Sequence, residues 1–181
     1  MKVNLKVASV FVMASIFLIS GCSVLNGFKV KGVETYQEPT DVKNISRVRF
    51  ISNVTGTRIK PLGSESYNSL VYYGVWGHYN STRDIGIPKI SYRKSDYEGY
   101  YYEVKVKSGV AEFIINTDST FRGVCMTRFE FVLLSGKDYD INFNANESRD
   151  SCRLYVSEIA RDESTGLLVL KPVEVKSLMR R

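Results

Sequence analysis

Short runs in which apolar and polar residues alternate recur along the chain. The clearest is YYYEVKVK at residues 100–107, which puts Tyr100, Tyr102, Val104 and Val106 on one face. Comparable runs occupy residues 47–51, 57–62, 110–115, 125–133, 138–143, 152–156 and 167–175. Because successive side chains of a strand point to opposite faces, each run predicts a strand with one buried face.

These runs predict inward and outward sides. In the run at residues 47–51, Val48 and Phe50 point to the core while Arg47 and Arg49 face solvent. Later inward positions are Cys125, Phe129, Phe131, Leu133, Tyr139, Ile141 and Phe143. Ser108-Gly109 predicts a hairpin between the runs on either side of it. Roughly seven or eight short strands without a long amphipathic helix predict an all-β fold, an antiparallel β-sandwich of the immunoglobulin-like or transthyretin-like kind.

The segment from Ser64 to Ser95 is the least regular part of the pattern. Its first residues, Ser64 to Tyr73, are compatible with a short capped helix. Gly74, Gly77 and Gly86 follow, and closely spaced glycines favour a long loop or irregular strands. We therefore expect a loop or irregular strands rather than a helix here.

The start of the chain has a different pattern. Lys2 and Lys6 precede an apolar stretch at residues 7–19 that only two serines interrupt. A membrane-spanning helix needs about 20 apolar residues, so this stretch is too short to cross a bilayer. A basic start followed by a short apolar stretch indicates a secretory signal peptide over residues 1–21.

The signal peptide ends in Leu18-Ile19-Ser20-Gly21-Cys22. This sequence resembles the lipobox of bacterial lipoproteins, in which an aliphatic residue and two small residues precede a cysteine. The resemblance implies cleavage between Gly21 and Cys22, attachment of diacylglycerol to the Cys22 thiol, and further acylation, for example by palmitate. An ordinary secretory leader with an incidental cysteine is the alternative.

Lipidation of Cys22 predicts where the protein lies. Acyl chains contribute about 0.8 kcal/mol per buried methylene, so several chains hold a protein permanently at a bilayer. Ser23 follows, where an aspartate would resemble an inner-membrane retention signal, and this favours the outer membrane, facing the periplasm. Residues 22–44 predict a lipidated N-terminus and flexible tether, residues 45–176 the sandwich domain, and residues 177–181 a basic tail.

The cysteine count predicts one disulfide. Three cysteines are present, and assigning Cys22 to the lipid leaves Cys125 and Cys152. In an oxidising compartment an even pair predicts a bond between them, with two buried free thiols as the alternative. The stretch GKDYDINF at residues 136–143, a polar loop and the strand from Cys152 resemble the C-terminal half of a broad group of bacterial lipoproteins with a β-sandwich domain. The members of that group mostly lack an assigned activity, so the resemblance implies fold and location.

Charge narrows the choice of partners. Two of the 25 basic residues leave with the signal peptide, so 23 remain against 19 acidic ones, a net charge of +4. This mild excess contains no basic block with interleaved aromatic residues, and export also argues against a nucleic-acid partner. The expected partners are the membrane, through the lipid, and an envelope protein or a glycan.

Candidate catalytic and metal-binding residues are few. His78 is the only histidine. Asp84 and several serines could accompany it, but none lies in a nucleophile turn such as G-x-S-x-G. Cys125, Cys152 and His78 lack the paired spacing of a zinc site, and residues 142–147 are not the carboxylate-rich, glycine-containing loop of a calcium site. We therefore predict no catalysis, no metal and no cofactor.

Aromatic residues are concentrated in the middle of the chain. Nine of the 12 tyrosines and the only tryptophan lie in residues 67–102. They suit a sandwich core, but their flat apolar faces and polar tips also suit binding. A binding surface is expected at Trp76, His78, Tyr79 and an exposed Tyr101. The leading function is a lipid-anchored, non-enzymatic envelope protein that binds another protein or is an accessory component of an assembly; the alternative is carbohydrate or peptidoglycan binding through this aromatic loop.

Overall fold

The computed structural model describes residues 34–51, 56–71, 73–74, 77–78, 82–116, 125–145 and 152–179. Its strands are β1 (Ile45–Ile51), β2 (Arg58–Lys60), β3 (Asn68–Ser69), β4 (Tyr73–Gly74), β5 (Gly77–His78), β6 (Tyr101–Lys107), β7 (Gly109–Asn116), β8 (Met126–Leu133), β9 (Asp138–Ala145), β10 (Cys152–Arg161), β11 (Leu168–Pro172) and β12 (Lys176–Ser177). A 3-10 helix spans Ser91–Tyr97. The predicted all-β, sandwich-like fold is confirmed. The predicted signal peptide, with Gly21, and the lipid-bearing Cys22 lie outside the described residues.

Most of the strands form two five-stranded sheets. Sheet I has the order β11-β10-β9-β1-β6, and sheet II has the order β12-β8-β7-β2-β3. Strands β4 and β5 form a separate two-stranded ladder. Neighbouring strands are antiparallel except β1 and β9, which are parallel. This pairing differs from a wholly antiparallel sandwich because β1 and β9 are far apart in the chain and no hairpin dictates their direction.

The alternating apolar residues meet between the two sheets. Phe113, Phe129 and Phe131 stack there with ring centroids 5.2 to 6.3 Å apart. The predicted inward residues Val48, Phe50, Val104, Val106, Cys125, Phe129, Phe131, Leu133, Tyr139, Ile141 and Phe143 are buried. Tyr100, predicted on the same face as Val104, precedes β6 and is 54% exposed. Burying a large apolar side chain stabilises a fold by roughly 1.5 to 3 kcal/mol, so the alternation specifies the sandwich.

The predicted hairpin at Ser108-Gly109 is wrong. Strand β6 belongs to sheet I and β7 to sheet II, so the chain crosses between the sheets at this point. Gly109 has a φ of +119°, and a Cβ there would lie 2.7 Å from Cδ2 of Leu62. Glycine permits both this conformation and this close approach. The chain can therefore turn sharply at Gly109 as it passes from one sheet to the other.

The domain begins earlier and ends later than the pattern predicts. Thr35 forms an isolated bridge with Ser69, and the Tyr36 amide donates to the Ser69 carbonyl at 2.8 Å. The Tyr36 hydroxyl donates to the carbonyl of Lys105 at 3.0 Å. At the other end, Ser177 lies in β12. Part of the predicted tether and the first residue of the predicted tail therefore belong to the domain, because they complete sheet edges that alternation does not reveal.

The irregular middle segment contains short strands, and in its described part helical structure starts only at Ser91. Residues 82–97, which we call the strap, cross the outer face of sheet I. Arg83 forms a parallel bridge with Tyr102 at the edge of β6. Ile87 and Ile90 of the strap are buried against Ile159 of β10, and the three form a second, smaller hydrophobic cluster. The strap therefore covers part of a face that alternation predicts to be in solvent.

Candidate functional site

The predicted aromatic surface lies largely outside the described residues. Trp76 and Tyr79 are outside them, and of His78 only the backbone is described, in β5, where it pairs with Tyr73. Carbohydrate binding through this loop therefore stays a prediction. Tyr101 is described and the prediction that it is exposed is wrong, since only 5% of its surface is accessible.

Tyr101 is buried because the strap lies over it. Its hydroxyl donates to Oδ2 of Asp84 at 2.7 Å. Its ring meets the Tyr97 ring edge-on, with 6.2 Å between centroids. Alternation correctly separates Tyr101 from the core residue Val104, but the outer face of sheet I is itself covered at this point.

A buried ion cluster of Arg49, Glu103 and Asp140 lies beneath the strap. Their side chains are 0%, 0% and 1% exposed. Arg49 Nε donates to Oε1 of Glu103 at 2.8 Å, and its Nη1 donates to Oδ1 of Asp140 at 2.9 Å. The prediction that Arg49 faces solvent is wrong. In the strand register Glu103 on β6 and Asp140 on β9 lie directly opposite Arg49. The strap covers all three side chains.

The ion cluster holds the strap through backbone atoms. Arg49 donates to the carbonyl of Ile87 and, at 3.2 Å, to that of Pro88. Oε2 of Glu103 accepts the Ile85 amide at 2.7 Å and the Ile87 amide at 3.1 Å. Buried charges are tolerated when such hydrogen bonds satisfy them. Because the side chains of Arg49 and Glu103 have no exposed surface, their hydrogen bonds are made within the protein, where they fix the strap.

Burial shifts the ionisation of groups in the cluster. Desolvation raises the pKa of Asp140, and the Arg49 guanidinium opposes that shift. Burial also raises the pKa of Tyr97, whose ring centroid lies 4.8 Å from the guanidinium carbon. At the surface of the strap, a hydrogen bond from Tyr101 holds the pKa of Asp84 well below its usual range. The fold thus disfavours the charged form of Asp140.

The predicted disulfide is present. The Cα atoms of Cys125 and Cys152 are 6.0 Å apart and their sulfur atoms are bonded. Cys125 is buried directly before β8 of sheet II, and Cys152 is exposed at the start of β10 in sheet I. The bond therefore fastens the two sheets at their rim. Because the two cysteines are 27 positions apart in the sequence, the bond stabilises the fold by roughly 3 to 4 kcal/mol in the chain-entropy model.

A second ion cluster lies on the outer face of sheet II and surrounds Glu112. Lys60 Nζ lies 3.1 Å from Oε1 of Glu112, and Arg128 Nη2 lies 2.8 Å from Oε2. The Tyr67 hydroxyl also donates to Oε2. Hydrogen bonds from Arg128 and then Tyr67 lower the pKa of Glu112 to about 2, so this carboxylate is ionised and engaged by its neighbours.

A groove of about 370 Å³ runs along the edge of β8 and is called the β8 groove. Val110, Val132 and Val173 are among its apolar lining residues. Val132 is 53% exposed and Val110 is 43% exposed. Strand β12 pairs with β8 at Phe129 and Glu130. Beyond these residues, the end of β8 has β7 on one side and, among the described residues, no strand on the other.

A cavity of about 360 Å³ lies on the outer face of sheet I beside the strap and is called the sheet I cavity. Asn142 of β9 and Tyr155 and Ser157 of β10 contribute to its lining, as do Arg93 and Asp96 of the 3-10 helix. Asn142 is 6% exposed, whereas Tyr155 is 52% exposed. Unlike the β8 groove, this cavity is lined mainly by polar and charged residues.

Metal-binding side chains are dispersed over the part of the chain that the structure describes. Within it, no three His, Cys, Asp or Glu side chains are grouped closely enough to hold a metal ion. The same ranges contain no helix long and apolar enough to cross a bilayer. Comparison of the chain with models of protein families, with curated proteins and with solved structures finds no match.

Proposed function

We propose that this chain is a lipid-anchored lipoprotein of the bacterial cell envelope and that its domain is a non-enzymatic protein-binding module. The leader pattern and the lipobox-like residues Leu18 to Cys22 support the anchor. The Cys125–Cys152 disulfide supports an oxidising compartment outside the cytoplasm. In this proposal Cys22 carries the lipid, and the domain lies on the periplasmic side of the outer membrane.

The protein-binding role rests on one observation, the open end of β8. A strand edge with unpaired backbone groups accepts an extended segment that adds a further strand. The main chain of that segment supplies hydrogen bonds, and its alternate side chains occupy neighbouring pockets. Val132 of β8, and Val110 opposite it on the neighbouring strand β7, provide exposed apolar surface beside this edge, so an extended segment of a partner protein fits the β8 groove.

Charges around the β8 groove define the partner further. Glu130, Glu174 and Lys176 line it. Lys176 Nζ pairs with Oε1 of Glu130 at 2.8 Å, which leaves the lining with a net negative charge at Glu174. Complementary charge improves specificity and the rate of association. The expected occupant is therefore an extended segment with alternating apolar residues and a lysine or arginine opposite Glu174.

Metabolic labelling with a palmitate analogue tests the anchor. The wild-type protein should take up the label, and Cys22→Ser should not, because Cys22 supplies the thiol that initiates acylation. Cys152→Ser is the matched control, since it removes a cysteine outside the lipobox and should retain the label. Label on Cys22→Ser, or an unlabelled wild-type protein, would contradict the anchor.

Photocrosslinking in living cells tests the β8 groove. A photoreactive residue at Val132 should crosslink to a partner protein, and Val110→Asp should abolish the adduct by placing a charge in the groove. Val42, which is 67% exposed and outside the groove, is the control position. Equal adducts from Val132 and Val42, or none from Val132, would rule out binding at this edge.

A further inference from the structure

The floor of the sheet I cavity holds a polar atom without a partner. Asn142 is 6% exposed, and its Oδ1 has no hydrogen-bond partner in the described part of the structure. Buried side-chain oxygens in folded proteins are nearly always hydrogen-bonded. Because Asn142 lines the cavity, a molecule seated there can supply the missing donor.

An aromatic side chain lies next to this acceptor. Tyr155 of β10 is directly opposite Asn142 of β9 in the strand register, and both side chains line the cavity. Tyr155 is 52% exposed, so its ring remains accessible to a ligand. Directly opposed residues of paired strands have Cβ atoms about 4.5 to 5.5 Å apart. A ring that stacks on Tyr155 would therefore bring its hydroxyl groups within reach of Asn142.

The charged residues of the cavity neutralise each other. Arg93 Nη2 and Asp96 Oδ2 form an ion pair within the 3-10 helix. Ser157 and Asn144 add neutral polar groups, and Leu170 adds an apolar side chain. With one cation and one anion already paired, the cavity favours a neutral ligand over an ionic one.

We propose that the sheet I cavity binds a neutral sugar of one or two pyranose rings. In this complex Asn142 Oδ1 accepts a sugar hydroxyl, and Tyr155 stacks on an apolar face of the ring. A volume of about 360 Å³ lies at the lower end of the roughly 300 to 1,000 Å³ typical of small-ligand sites. This site is on the opposite sheet from the β8 groove and does not depend on the function proposed for that groove.

Calorimetric titration of the full chain in detergent tests the proposal. The probes are glucose, galactose, N-acetylglucosamine and cellobiose, with glucuronate and glucosamine as charged comparisons. At least one neutral probe should bind saturably, with a Kd of about 1 to 10 mM for so small a ligand. Tyr155→Ala should weaken binding by about two- to tenfold through the loss of stacking. Tyr100→Ala, which removes a tyrosine of similar exposure outside the cavity, should leave Kd unchanged.

Asn142→Leu separates a binding role from a structural one. Replacing an unsatisfied buried polar group by an apolar group of similar shape is nearly neutral or stabilising, so this variant should keep or raise the Tm while losing sugar binding. A lowered Tm would show that Asn142 stabilises the fold instead and would overturn the proposal. Failure of all neutral probes to saturate, preference for a charged probe, or equal Kd values for the wild type and Tyr155→Ala would also overturn it.

Discussion

The outer faces of the two sheets each carry an ion cluster, and each cluster pairs an arginine with a glutamate. In sheet I, Arg49 and Glu103 have no exposed side-chain surface. In sheet II, the side chains of Arg128 and Glu112 are 43% and 20% exposed. The strap covers the first cluster, whereas the second remains open to water.

Burial changes what an ion pair contributes to a fold. Exposed pairs stabilise a protein by about 1 kcal/mol or less, because water screens them and their side chains lose entropy. Buried charges have lost their hydration, so removing one partner leaves the other uncompensated and costs about 3 to 5 kcal/mol. The cluster in sheet I therefore couples folding to the position of the strap, whereas the cluster in sheet II adds little to stability.

The largest loss of stability is expected for Arg49→Met. This change leaves the carboxylates of Glu103 and Asp140 buried without their cation and removes the hydrogen bonds to the strap. It should lower the free energy of unfolding by about 3 to 5 kcal/mol, measured by urea denaturation. The strap should also lose protection from hydrogen exchange at the Ile85 and Ile87 amides, which Glu103 accepts in the wild type.

Arg47→Met is the matched control for this change. Arg47 is also in β1, and its Nη2 pairs with Oδ2 of Asp138 at 2.6 Å, but its side chain is 33% exposed. Its loss should reduce the free energy of unfolding by about 1 kcal/mol or less. If Arg47→Met and Arg49→Met had equal effects, burial beneath the strap would not be the cause of the difference between the clusters.

Sequence reasoning predicts the sandwich but not the cluster beneath the strap. Alternation identifies the two faces of β1 correctly, since Val48 and Phe50 are buried in the core. The same alternation assigns Arg49 to solvent, because a single strand carries no information about what covers its outer face. The opposition of Arg49 to Glu103 depends on strand register, and the covering strap comes from the least regular part of the sequence.

The sequence does not predict the two candidate binding regions, for a related reason. Asn142 and Tyr155 occur in separate strands, and only the pairing of β9 with β10 brings them together. The β8 groove depends on where β12 stops pairing with β8, which is a property of tertiary structure. The disulfide was predictable from the cysteine count because Cys125 and Cys152 had no competing partner once Cys22 was assigned to lipid.

A smaller effect with a distinctive pH dependence is expected for Asp140→Asn. At neutral pH the free energy of unfolding of the variant should be lower than that of the wild type by about 1.5 to 3 kcal/mol, typical of a hydrogen bond to a charged group. Burial raises the pKa of Asp140 above 3.8, so the folded wild type binds a proton there at higher pH than the unfolded chain does. Its stability relative to the variant should therefore increase as the pH falls from neutrality toward 3.8.

Urea denaturation of wild type and Asp140→Asn at several pH values measures this difference. A stability difference that shrinks as the pH falls toward 3.8 would show that the folded state favours the charged form of Asp140, contrary to the direction of its pKa. A difference independent of pH would show that burial of the carboxyl group does not affect its ionisation.

The smallest effect is expected for Glu112→Gln, with the opposite pH dependence. The pKa of Glu112 is lowered from 4.5 to about 2, so its contribution is complete above 4.5 and disappears as the pH falls toward 2. Because the cluster is partly exposed, the loss at neutral pH should be about 1 kcal/mol or less, and high salt should reduce it further. Glu130→Gln, which removes one pair with the 73% exposed Lys176, should cost still less. A loss for Glu112→Gln as large as that for Arg49→Met, or one insensitive to salt, would mean that exposure does not distinguish the two clusters.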